Sequence, residues 1–331
     1  MERFALAAAV VLGFALTAAL CSLFVPLRRV LERREQNQQP VQPEQPRPVP
    51  LRAPLWGGLC AAAGTVAAVG VGWLAACVGQ PELLGSEGRL MTRLLTALAG
   101  SLAFGAVGLA EDLARMRSPA ALGLRRDVRL LLEALAAAFV LLLLQAAGCL
   151  PRGLGVPGAG YVLLGSAVPF LWAVLMVALA ECARIAERDE GTVCGAAFVA
   201  MLALMMAEAG LGVPGLAVLP AALAGALVAL LLWAFPPARL GVGCCGSLLA
   251  AGAIGCIPLS LDMTSLTVPL ALPFWAAGGL WAAQLLGAKR TGKPLRCWVK
   301  KHKMSPETVF LCSFALSAVG YVLALALLRW C

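Results

Sequence analysis

Long, continuous apolar runs alternate with short polar connections along the whole chain. The runs fall near 4–27, 54–78, 91–110, 128–148, 160–180, 192–211, 214–235, 244–262, 266–288 and 307–328. A helix needs about 20 mostly apolar residues to cross a bilayer. Lipid offers no partners to backbone groups, so each run is expected to be a helix. The runs are continuous rather than alternating, which excludes a β-barrel. The predicted class is therefore an all-α integral membrane protein of about ten transmembrane helices, forming one polytopic domain over 1–331. Only the connection at 28–53, rich in Gln and Pro, reads as an extended linker.

Composition strengthens this picture. The chain has 331 residues, 61% of them hydrophobic and 13% charged, whereas soluble domains are roughly a quarter charged. Of the 12 cysteines, Cys21, Cys60, Cys77, Cys194, Cys256 and Cys312 lie inside apolar runs and read as small buried hydrophobes, with no disulfide framework expected. The first run is longer than a signal-peptide core and is followed by basic residues, so it reads as a retained helix.

Charge then sets orientation. Most of the 26 basic residues fall in alternate connections, around Arg28–Arg52, Arg115–Arg129, Arg184–Arg188, Arg239 and Lys289–Lys303. By the positive-inside rule these connections face the cytoplasm and both termini face outward. Charges inside the runs are few. Glu208 and Asp262 fall near outer ends, with water expected within reach, and the lack of midplane charge argues against an ion-coupled carrier.

Four features in the basic connections carry potential chemistry. Glu111-Asp112 places adjacent carboxylates at the end of the third run, which suits either a metal or phosphate site or a solvated helix end neutralised by Arg115 and Arg117. Glu181 to Gly191 holds four more carboxylates, enough for a hard cation, with Arg184 and Arg188 as alternative partners. Gly241-Val242-Gly243-Cys244-Cys245-Gly246-Ser247 is a glycine-rich turn leading into a helix, a place where backbone amides meet an anion. The last connection combines Lys293, Arg296, Lys300, Lys301 and Lys303 with His302, the only histidine.

The order and spacing of these features resemble the phospho-N-acetylmuramoyl-pentapeptide transferases, within the polyprenyl-phosphate N-acetylhexosamine-1-phosphate transferase superfamily. Ala53-Pro54-Leu55-Trp56-Gly57-Gly58 is similar to the family's Thr-Pro-Thr-Met-Gly-Gly. Gly108-Leu109-Ala110-Glu111-Asp112 with Arg115 is similar to Gly-Phe-x-Asp-Asp with its lysine. Gly123-Leu124, Arg129 and Glu133 stand where the family has Gly-Leu, Lys and Gln, and Pro236 to Leu248 follows its Gly-Asp-Thr-Gly element. The resemblance implies transfer of a sugar phosphate from a UDP-sugar to undecaprenyl phosphate at the cytoplasmic face of the cell membrane, with release of UMP and a requirement for Mg2+. It implies catalytic roles for Asp112 and Glu111, substrate contacts for Arg115, Arg129, Arg184 and Lys300, and metal contacts for Glu187 and Glu190. A homodimer is compatible with it, and no nucleic-acid partner is expected.

Departures from the family pattern bear on activity. Cys244 stands at the metal aspartate, the three late histidines are absent (Arg296-Cys297-Trp298 holds their place), and Arg184 replaces an asparagine. A thiol is a poor ligand for a hard cation. The competing expectation is a paralogue that kept the scaffold, lost catalysis and binds lipid or protein in the membrane.

Overall fold

A computed structural model describes residues 2–38, 56–79, 88–117, 123–151, 153–156, 160–163, 165, 167–187, 191–213, 215–235, 238–291 and 306–330. Helices follow the apolar runs in order: α1 Glu2–Gln38, α2 Gly57–Gly79, α3 Gly88–Arg117, α4 Arg126–Ala146, α5 Ala167–Ala186, α6 Thr192–Gly210, α7 Val218–Ala234 and α8 Gly243–Ser260. A 3-10 turn at Thr264–Leu266 leads into α9 Thr267–Leu270 and α10 Leu272–Thr291, and α11 Pro306–Trp330 closes the series. The protein is a multi-pass membrane protein built almost wholly of helix.

Several boundaries differ from expectation, each for a local reason. Seven helices are long and apolar enough to cross a membrane among the described residues, or eight if the pair bent by 63° around Ala271 forms one span. Helix α7 has only 17 residues, about 26 Å of helix, and α4 opens with Arg126, Asp127, Arg129 and Glu133. The expected helix start at 160 is displaced to Ala167. Before it, β1 Gly153–Val156 and β2 Gly160–Leu163 pair antiparallel as a small hairpin, Gly153 opposite Leu163. Four-residue segments bounded by glycine and proline suit a hairpin better than a helix turn. The linker expected from residue 28 starts later, because α1 continues through Gln38; the rest of it lies outside the described residues.

Helix α8 is the axis of the fold, with all 18 of its residues buried. Alanine, glycine and cysteine dominate it, so neighbouring backbones approach closely, the usual means of association in lipid. Helix α3 packs along it, and α2, α5 and α6 complete its surroundings. Helices α1 and α7 cross at a second close contact, where a Cβ on Gly13 would strike the carbonyl of Ala222 and one on Gly225 the carbonyl of Val10. The last helix, α11, is mostly exposed, as expected of a face turned to lipid.

Glu208 corrects one expectation. It lies in the last turn of α6 but is only 1% exposed, and its Oε2 has no hydrogen-bond partner. Close packing around α6 removes the water that its position near a helix end suggested.

Candidate functional site

Three helices each carry a charged pair at helical spacing. Helix α3 has Glu111 and Arg115, α4 has Arg129 and Glu133, and α5 has Glu181 and Arg184. Residues three or four apart share a helix face, so each pair projects to one side. The fold brings the three faces together beside the start of α8.

The resulting network is dense and largely buried. Arg115 donates from Nη2 to Glu111 Oε1 at 2.7 Å, and its Nη1 lies 4.0 Å from Asp112 Oδ1 and 3.8 Å from Glu187 Oε2. Arg129 is only 7% exposed. Its Nε donates to Glu181 Oε1 at 2.6 Å, its Nη1 lies 3.6 Å from Glu111 Oε1, and Nε lies 4.0 Å from Glu133 Oε1. Arg184 Nη2 donates to the other oxygen of Glu181, also at 2.6 Å. Arg129 therefore joins α3, α4 and α5 through one guanidinium, whose planar fork suits several carboxylates at once.

Asp112 does something different from its neighbours. It is 1% exposed. Its Oδ1 accepts from the amide of Cys244 at 3.0 Å and its Oδ2 from the amide of Cys245 at 2.9 Å. These are the second and third residues of α8, whose N-terminal amides have no partner inside the helix. Val242, in the capping position, makes no side-chain cap. A carboxylate from α3 fills that role from across the interface and also complements the positive end of the helix dipole. The glycine-rich turn expected to meet an anion does so, and the anion is the protein's own.

Glycine makes the approach possible. A Cβ on Gly108, one turn before Asp112, would strike the carbonyl of Cys244. On the far side of the turn, the amides of Gly57 and Gly58 donate to the carbonyls of Gly241 and Val242 at 3.2 and 2.9 Å. The start of α8 is thus held by α2 and α3 together.

Of the residues expected to form a site, Glu111, Asp112, Arg115, Arg129, Arg184 and Glu187 come together, with Cys244 against Asp112. Glu190 and Lys300 lie outside the described residues. The sequence offers Glu181 only as one of four carboxylates able to hold a cation and Glu133 only as a position of the family pattern, yet Glu181 is the closest partner of two arginines and Glu133 is 0% exposed. The signals were present as Glu181-x-x-Arg184 and Arg129-x-x-x-Glu133.

The donor set can be tested against magnesium, which requires several oxygens converging in near-octahedral geometry. Both Asp112 oxygens accept amides, both Glu181 oxygens accept from arginines, and Glu111 Oε1 is shared by Arg115 and Arg129, which leaves Glu111 Oε2 and the two oxygens of Glu133, beside the Arg129 guanidinium, without a hydrogen-bond partner. Cys244 contributes a soft sulfur. Among the described residues no three acidic, histidine or cysteine side chains are grouped to hold a metal. The described residues do not fit a magnesium ion.

Comparison with known proteins shows the family. A family model described as glycosyl transferase family 4 matches residues 94–262, just over half of the chain and the stretch from α3 to α8. The chain is 30% identical over 212 residues to a phospho-N-acetylmuramoyl-pentapeptide-transferase of a Synechococcus species, covering 63% of this chain and 55% of that protein. It thus spans little more than half the length of that relative. The proteins of the same name from Geobacillus kaustophilus and Mycobacterium tuberculosis are 26% and 27% identical, over 81% and 72% of this chain and 79% and 72% of theirs. The chain belongs to glycosyl transferase family 4, as a divergent relative of the phospho-N-acetylmuramoyl-pentapeptide transferases.

Proposed function

We propose that this protein serves the step at which a sugar phosphate passes from a UDP-sugar to undecaprenyl phosphate, in the synthesis of lipid-linked glycan intermediates for the cell wall. The observation that carries this reading is the cluster itself. Glu111, Asp112, Arg115, Arg129 and Arg184 stand at positions that resemble the family's motifs, and three helices bring them to one place beside the start of α8. In this reading the bundle has ten spans with both termini outside, and the cluster faces the cytoplasm. Lys300 and Glu190 approach the substrate from the neighbouring connections, and a second copy of the chain is an admissible partner. Phosphoryl transfer depends on positioning and on charge stabilisation around the phosphates, and arginine forks are suited to both.

A second reading is favoured by one specific observation. Both oxygens of Asp112, the residue that would prepare the lipid phosphate, are engaged as the cap of α8. In that reading the chain keeps the scaffold and binds lipid phosphate or a membrane partner without turnover.

The two readings part in one assay. Purified protein in detergent is given undecaprenyl phosphate and UDP-N-acetylmuramoyl-pentapeptide, or a panel of other UDP-sugars, and UMP release is measured. Release that is lost in Asp112→Asn supports the transferase. No release with any donor, while undecaprenyl phosphate still binds, sinks it and leaves the binding role.

A further inference from the structure

The same cluster shows which groups face its carboxylates. Glu111, Asp112, Glu133, Glu181 and Glu187 converge from three helices and the turn after α5. Left alone, so many carboxylates in a buried space would drive the helices apart. Oxygen-lined acidic sites ordinarily solve this with a divalent cation.

Here each helix supplies its own cation. Arg115 lies on α3, Arg129 on α4 and Arg184 on α5, and every one reaches a carboxylate within 2.7 Å. Arg129 reaches furthest: its pairing with Glu181 spans 52 residues of sequence, and its other nitrogen lies 3.6 Å from Glu111 on a third helix. The fourth helix, α8, contributes two amides in place of a ligand, one to each oxygen of Asp112.

We infer that Arg115, Arg129 and Arg184, together with the amide end of α8, take the place of a divalent cation, so that the cluster assembles and stays assembled without one. The inference concerns binding and assembly, and it stands whether or not the protein turns over a substrate.

The test uses the full-length protein in detergent and manganese as a paramagnetic probe. Titrated with Mn2+, the wild type is expected to leave the EPR signal of the free ion undiminished and to melt at the same temperature in magnesium as in EDTA. Stoichiometric loss of free Mn2+, reversed by magnesium, would overturn the inference. So would a melting temperature that rises with magnesium. The variant Arg129→Gln is expected to melt several degrees lower in EDTA, and an unchanged melting temperature would show that Arg129 does not hold the cluster. If that variant cannot be purified, Arg129→Lys serves, with a smaller loss expected. The UMP assay separates this claim from the proposed reaction. Release that depends strictly on magnesium refutes the inference and keeps the transferase. No release, with no Mn2+ bound, refutes the transferase and keeps the inference.

Discussion

Two ends of the same bundle bury carboxylates in opposite ways. Beside the start of α8, five acidic side chains meet three arginines and two helix amides. At the end of α6, Glu208 is 1% exposed, has one oxygen without a partner and joins no ion pair among the described residues. Burial alone therefore does not distinguish the two places, and neither does hydrogen bonding, since both oxygens of Glu133 and Oε2 of Glu111 also lack a hydrogen-bond partner; what differs is the nearby guanidinium, 4.0 Å from Glu133. Where carboxylates are paired across helices, removing a partner strands a charge. Where a carboxylate is alone, removing it relieves one.

Four substitutions would break or sharpen that contrast. The largest effect is expected from Arg129→Met, which leaves Glu181 and Glu111 short of their shared cation. Loss of one partner from a buried pair costs about 3–5 kcal/mol, read as a lowered unfolding midpoint in detergent. Gly108→Ala forces a methyl group against the carbonyl of Cys244. Overpacking of this kind costs about 1–3 kcal/mol, and the same unfolding measurement should show α3 and α8 loosened. Asp112→Ala removes the acceptor for two amides of α8, for a loss of about 0.5–2 kcal/mol; hydrogen exchange at Cys244 and Cys245 should quicken selectively. The smallest change belongs to Glu208→Leu, expected to be neutral or to stabilise by about 1 kcal/mol, since an unpartnered buried polar group is itself a cost of that order. If Glu208→Leu destabilises as strongly as Arg129→Met, Glu208 has a role that its surroundings do not reveal and the contrast fails.

The effect of Asp112→Ala also bears on how any activity data are read. Asp112 both caps α8 and stands where the family resemblance expects a catalytic carboxylate. Loss of turnover in that variant separates chemistry from architecture only when unfolding is measured beside it. Asp112→Asn, which keeps one acceptor oxygen, is the milder comparison.

Much of this molecule is legible in its hydrophobic runs. They determine, in order, where helices form, because an apolar stretch of about 20 residues in lipid has no other way to satisfy its backbone. Helical spacing is equally legible: Glu111 with Arg115, Arg129 with Glu133, and Glu181 with Arg184 are pairs that any helix would form. The glycine-rich turn before α8 also announces an anion.

Only the tertiary structure decided which partners those local features would find. Periodicity says which side of a helix a residue occupies, but not which neighbour faces it. Arg129 and Glu181 meet because α4 lies beside α5, and Asp112 meets the amides of Cys244 and Cys245 because Gly108 lets α3 come close to α8. The same limit hid the burial of Glu208 and the hairpin at β1 and β2, where cross-strand pairing overrides an apolar run. Local chemistry follows from spacing along the chain. Whether a buried carboxylate is a metal ligand, a helix cap or a lone carboxyl group follows from what the fold sets opposite it.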